Sequence, residues 1–223
     1  MTVSGTIAFG LDVDSIIRDA LEKIGGEPTL GEDSRSARRS LNLLLIDWQN
    51  RGIPLWKRDE QSFTVSASSG TYALTSGTID VLDAVCRRSN TDLQMTRITP
   101  EEYLNIPRKT QSSRPTQYYI DRQRETTSLV LWPLPDNSTD EIHYWRFSKI
   151  YDVNSPTEDA DVPFRFLPAL IAGLAYMMSI KRTGIPLERI AILKQDYMES
   201  LQVAMEEDRD RASLFITPKQ RYL

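Results

Sequence analysis

The stretch Asp161–Arg182, DVPFRFLPALIAGLAYMMSIKR, holds the longest apolar run of the chain between an acidic start and a basic end. Asp159 and Asp161 on one side and Lys181 and Arg182 on the other lie in the sense that a helix dipole favours, so the stretch reads as a helix. Ala169, Ala172, Gly173 and Ala175 are small enough to let neighbours approach, while Leu170, Leu174, Tyr176 and Met178 fill the space around them. A helix apolar nearly all round needs partners on several sides, which makes this the central buried helix. A bilayer asks for about 20 residues; the uninterrupted run here covers roughly 15 and carries Pro168.

Outward from it, Pro186 opens a further helix. There Leu187, Ile190, Ala191, Leu193, Lys194, Tyr197, Leu201 and Ala204 mark a long stripe to pack on the central helix. Near the start of the chain Val13, Ile16, Ile17, Ala20, Leu21 and Ile24 recur at helical spacing until Gly25-Gly26. Ala37, Leu41, Leu44, Leu45 and Trp48 then repeat every three or four residues up to Gly52. The outer side of this second helix carries Arg35, Arg38, Arg39 and Asp47, read as a solvated face.

Between the helix pairs the period falls from 3.6 to 2. Phe63, Val65 and Ala67 alternate with polar residues before the turn SSG and a strand around Tyr72–Leu74, which predicts a hairpin. IDVLDAVCRR, LQMTRI, QYYIDR, SLVLWPL and EIHYWRF read as further strands, and Thr99-Pro100-Glu101-Glu102 carries a capping-box pattern for a short helix. PRKTQSSRP is polar, basic and broken by prolines, hence a surface loop.

The expected fold is α+β and mainly helical: a helical bundle of two N-terminal and two long C-terminal helices with a small inserted antiparallel β-sheet and an extended C-terminal arm. In residues this gives an N-terminal extension 1–11, a helical pair 12–58, a β-rich insertion 59–150, C-terminal helices 151–210 and an arm 211–223. The arm holds Leu214, Phe215, Ile216, Tyr222 and Leu223 around a proline. It either lies back on its own body or gains order on a partner, and the residues leave both open.

A chain of 223 residues with 40% hydrophobic content can bury a sizeable core. Its net charge of -4 argues against adhesive nucleic-acid binding, which needs basic surface to displace counterions. The single cysteine, Cys86, cannot form an internal disulfide, and MTVSGTIAFGLDVD lacks the pattern of an export signal. A cytoplasm is the expected place of synthesis. The catalytic inventory is thin: His143 stands among aromatic strand residues, one cysteine and one histidine exclude most zinc sites, and no phosphate loop or nucleophile elbow appears. Glu101 and Glu102 read as first-turn helix residues rather than as the paired carboxylates that glycan hydrolysis needs. No catalytic residue, cofactor or metal site is expected.

The blocks LNLLLIDWQNRGIPLWK (41–57), IDVLDAVCRR, ITPEEYLNIPRKTQSSRPTQYYIDRQ, LVLWPLPD and DVPFRFLPALIAGLAYMMSIKR occur in one order that resembles the head-to-tail adaptor family of tailed bacteriophages. The chain is similar to the connectors of short-tailed phages called tail tubular protein A or tail accessory factor. The resemblance implies a structural virion protein at the head-tail interface, assembled in the host cytoplasm. Its partners would be the portal protein, the tail nozzle or tail hub, and copies of itself, in a dodecameric ring in the virion and monomeric when free. Double-stranded DNA would pass without specific binding, and no membrane is involved. Carried onto this sequence, Leu214, Phe215, Ile216, Tyr222 and Leu223 would touch the portal, and Arg108, Lys109 and Arg114 the tail side. Another head- or tail-completion protein is the alternative, and a peptidoglycan hydrolase using Glu101, Glu102 or the acidic patch at Glu206 a more distant one.

Overall fold

A computed structural model describes residues 9–25 and 31–208. They divide into two units, one made of the described residues up to Ile53 and from Tyr151 onward and one of Pro54–Ile150.

The first unit is helical. Helix α1 (Val13–Ile24) begins where the Asp12 side chain accepts the Ser15 N–H, and it stops at Gly25, whose left-handed φ of 83° only glycine takes without strain. Helix α2 spans Gly31–Asn50, α4 spans Leu167–Lys181 and α5 spans Leu187–Glu207; α3 belongs to the other unit. Helix α4 is the centre, in contact with α1, α2 and α5. By length and composition alone Phe164–Lys181 is apolar enough to cross a membrane, yet 56% of it is buried inside this unit. The small residues of α4 do what their size allows: a Cβ on Gly173 would stand 2.8 Å from Leu44 and 2.9 Å from Tyr197, so α2 and α5 both close onto that point. Trp48 of α2 joins them by donating its indole N–H to the Tyr197 hydroxyl at 2.8 Å.

The start of α4 differs from the sequence reading. No acidic residue lies in its first turn, because the helix opens at Leu167 behind a 3-10 turn at Phe164–Phe166. Proline is tolerated only in the first turn of a helix, so Pro168 fixes the start, and a helix from Asp161 would carry it in its interior. Asp161 instead accepts the Tyr151 N–H at 2.9 Å.

The second unit corrects the expected architecture. Eight strands form two sheets of four, in the orders β1-β8-β3-β4 and β2-β7-β6-β5, so the chain is not a mainly helical bundle with one small sheet. The strands are β1 (Arg58–Thr64), β2 (Thr71–Ala73), β3 (Thr78–Arg88), β4 (Thr91–Gln94), β5 (Thr96–Arg97), β6 (Gln117–Arg122), β7 (Thr127–Trp132) and β8 (Glu141–Ser148), with α3 (Pro100–Leu104) between β5 and β6. All pairings are antiparallel except β5 with β6. Val81, Ala84, Cys86, Ile142 and Tyr144 of the first sheet share one core with Tyr118, Leu129 and Leu131 of the second. The two sheets therefore stack as layers, each burying alternate residues as a two-sheet core requires.

The predicted hairpin does not form. β1 pairs with β8 and β2 with β7, one in each layer. The SSG segment is instead the crossing between layers, where the Tyr72 hydroxyl accepts the Ser66 N–H at 2.9 Å. Phe63 and Tyr72, which a hairpin would have set side by side, stack across the layers with ring centroids 4.8 Å apart.

Candidate interaction surfaces

The basic loop is a built object rather than a free cationic strand. Lys109 donates to the Leu104 and Ile106 carbonyls at 3.1 and 3.2 Å, capping the end of α3, and its ammonium stands 5.6 Å from the centre of the Tyr103 ring. Arg114 gives one guanidinium nitrogen to the Cys86 and Thr91 carbonyls, both at 2.6 Å, which ties the loop to the end of the β3–β4 hairpin. Arg108 uses its carbonyl, which accepts the Trp132 indole N–H at 3.2 Å, while its side chain is exposed. An open cavity of about 510 Å³ lies beside it, lined by Ile98, Ile106, Pro107, Arg108 and Trp132 among others. Of the three basic residues picked from sequence, Lys109 and Arg114 shape this surface and Arg108 is presented by it.

The turn between β7 and β8 is clamped by charge. Asp140, with 1% of its side chain exposed, receives Arg88 Nε at 2.9 Å and Nη2 at 2.8 Å, and Asn137 Nδ2 at 3.1 Å. Arg88 also pairs with Asp136. Burial pushes the Asp140 carboxyl up, but the hydrogen bonds from Arg88 and Asn137 and the charge of Arg88 outweigh it and hold the group below its ordinary value. Burial raises the neighbouring Cys86 thiol, which keeps it in the unreactive thiol form. This network arose from residues about fifty positions apart. Nothing local in the sequence announces it.

The carboxylates weighed as an acid/base pair have structural partners. Glu102 accepts the Thr99 N–H at 2.7 Å while its own N–H goes to the Thr99 hydroxyl at 3.1 Å, a complete capping box in which Glu101 is the neighbouring first-turn acid. Glu206 accepts from Gln202 at 3.0 Å. His143 lies between Glu60 and Glu141 at 3.4 and 3.1 Å. Among the described residues no group of three or more His, Cys, Asp or Glu could hold a metal ion.

In the helical unit an open groove of about 840 Å³ runs between α1 and the start of α4, lined by Phe9, Leu11, Phe164, Leu167 and Ile171 with Asp19 and Glu22 at its rim. Beside Phe164, Arg165 pairs with Asp208, the C-cap residue of α5, and so holds the end of that helix. A lone arginine between two phenylalanines was the only sequence signal of that pin. Leu214, Phe215, Ile216, Tyr222 and Leu223 lie outside the described residues.

These features define an α+β protein in which a helical unit, sequentially interrupted by a two-layer β unit, presents shaped surfaces. The chain belongs to the SU10 adaptor protein family, whose model matches residues 11–221, and is thus a structural adaptor of the phage head-to-tail type. No curated protein matches it.

Proposed function

We propose that this chain forms a ring beneath the portal vertex, extends the DNA channel and offers the platform on which the tail nozzle or hub is mounted. The observation that carries this reading is the family match over residues 11–221, which takes in both units and most of the C-terminal arm. The arm supplies the contact with the portal through Leu214, Phe215, Ile216, Tyr222 and Leu223, and begins three residues after Asp208, where Arg165 holds the end of α5. The surface of α3 and the loop from Arg108 to Arg114 faces the tail, with Arg108 and the exposed Leu104 as contacts and with Lys109 and Arg114 holding the loop in shape. A net charge of -4 per copy, repeated around a ring, gives a conduit that does not grip passing phosphates. The free protein is a monomer, and the portal triggers assembly into a dodecamer at the head-tail interface, in the host cytoplasm.

The test is deletion of Arg211–Leu223. The truncated chain is expected to keep its circular dichroism spectrum and to lose co-sedimentation with the portal protein. Undiminished binding by the truncated chain refutes the assignment of the arm, and failure of the full chain to bind refutes the adaptor reading in favour of a component placed elsewhere in the head or tail.

A further inference from the structure

Two helices of the helical unit each carry a second apolar face in addition to the one they bury. α2 buries Leu41, Leu44, Leu45 and Trp48. On the opposite side it exposes Arg35, Arg39, Leu43, Ile46 and Asn50, with Leu43 at 52% and Ile46 at 51%. From Arg39 onward these follow one another at intervals of four, three and four residues, the spacing by which one helix seats along another. α5 does the same. It buries Leu193, Tyr197, Leu201 and Ala204, while Ile192 and Val203, exposed at 57% and 67%, stand with Glu199 and Glu206 on the other side at intervals of seven, four and three residues. A helix that has already buried one stripe has no use for a second unless a partner covers it.

The two faces carry opposite charge. Arg35 and Arg39 precede the apolar pair of α2 on the same face, whereas α5 has no basic residue from Gln195 to its end and exposes Glu199 and Glu206 there. Direction follows from the same positions. If the helices ran parallel with Arg35 opposite Glu199, Leu43 would fall at the last residue of α5, Glu207, and Ile46 beyond it. Run antiparallel, Glu206 and Glu199 come opposite Arg35 and Arg39, while Ile192 comes opposite Ile46.

We infer that the acidic apolar face of α5 in one copy seats antiparallel on the basic apolar face of α2 in the next copy, and that this contact is the seam of the ring. The inference rests on the ring proposed above and adds which surfaces build it. Each copy then uses two different faces on two different neighbours, the heterologous contact that repeats into a ring.

Cysteine pairs test it in the full chain, because the single native cysteine, Cys86, is buried. Ile46→Cys, Ile192→Cys and the double variant are each mixed with the portal protein, treated with a short bismaleimide and run on a denaturing gel. The double variant is expected to give a ladder that extends beyond the dimer, and each single variant to stay monomeric. Portal-bound copies without a ladder overturn the seam and leave the adaptor reading standing; no portal-bound copies overturn both. Dimers from a single-cysteine variant, or a ladder that stops at the dimer, overturn the seam in favour of a two-fold contact. Independently, Arg39→Glu and Glu199→Arg are each expected to lower the number of copies on the portal, and the double reversal to restore it. A double reversal that folds, by circular dichroism, and binds as poorly as the single ones refutes the charge pairing.

Discussion

Asp140 receives three side-chain nitrogens and has almost no access to water, so its removal leaves Arg88 with one partner, Asp136, and Asn137 Nδ2 with Asp136 alone. Deleting one member of a buried ion pair costs about 3–5 kcal/mol. Arg88 keeps part of its hydration, with 33% of its side chain exposed, which places Asp140→Ala at the low end, about 3 kcal/mol. Urea unfolding should show this as a lower midpoint at unchanged slope. The same clamp sets a pH dependence. Because the folded-state value lies below the ordinary 3.8, the unfolded chain binds the proton more readily. The stabilisation from Asp140 is therefore complete above the ordinary carboxylate range and is lost as the pH falls through the lowered value. Acid titration of stability should be flatter in Asp140→Ala than in the parent chain; equal slopes would show that the clamp contributes nothing to acid lability.

At the level of elements, the tightest constraint is the meeting of α2, α4 and α5 at Gly173. A valine there gains helix propensity of under about 1 kcal/mol over glycine, but its Cβ arrives within 2.9 Å of the Tyr197 ring, which Trp48 holds in place. Overpacking costs about 1–3 kcal/mol, so Gly173→Val is expected to lower the melting temperature and to disturb the near-ultraviolet signal of Trp48. A variant as stable as the parent would mean that α5 can slide outward at no cost. Helices were the legible elements, because the spacing of Val13, Ile16, Ile17 and Ala20 or of Leu193, Tyr197 and Leu201 is a local property, and so was the capping box of Thr99 and Glu102. Strand partners were not. Alternation shows that Phe63 and Val65 face inward, though not Ala67, which is exposed past the end of β1, and it does not say which strand lies beside them; both the absent hairpin and the observed stacking bring Phe63 to Tyr72. The two-layer unit is hidden from local pattern for this reason: its strands pair across long stretches of chain, as β1 does with β8. Charges in the loop at Arg108–Arg114 could be counted in the sequence, but the carbonyls that occupy Lys109 and Arg114 could not.

For the whole molecule, the question is whether its two proposed tasks, binding the portal and receiving the tail, can be separated physically. The core of the β unit, from Val81 and Cys86 to Leu131 and Tyr144, is drawn entirely from residues 54–150. The helical unit buries Val13, Ile16, Trp48, Phe166, Leu170 and Leu174 without any of them. Strand pairing of Arg58 with Phe147 brings the entry and exit of the β unit side by side, so excision leaves a gap that a short flexible linker closes at little entropic cost. Residues 54–150 expressed alone are expected to give a β-type circular dichroism spectrum and a cooperative urea transition. The chain with those residues replaced by a Gly-Ser linker is expected to stay helical. If the proposed division of labour holds, that helical remainder still co-sediments with the portal and still gives the Ile46–Ile192 cross-link, while it no longer recruits the tail nozzle. A helical remainder that folds but cannot bind the portal would move the portal contact into the β unit, and an excised β unit that fails to fold would mean that its core depends on the helices after all.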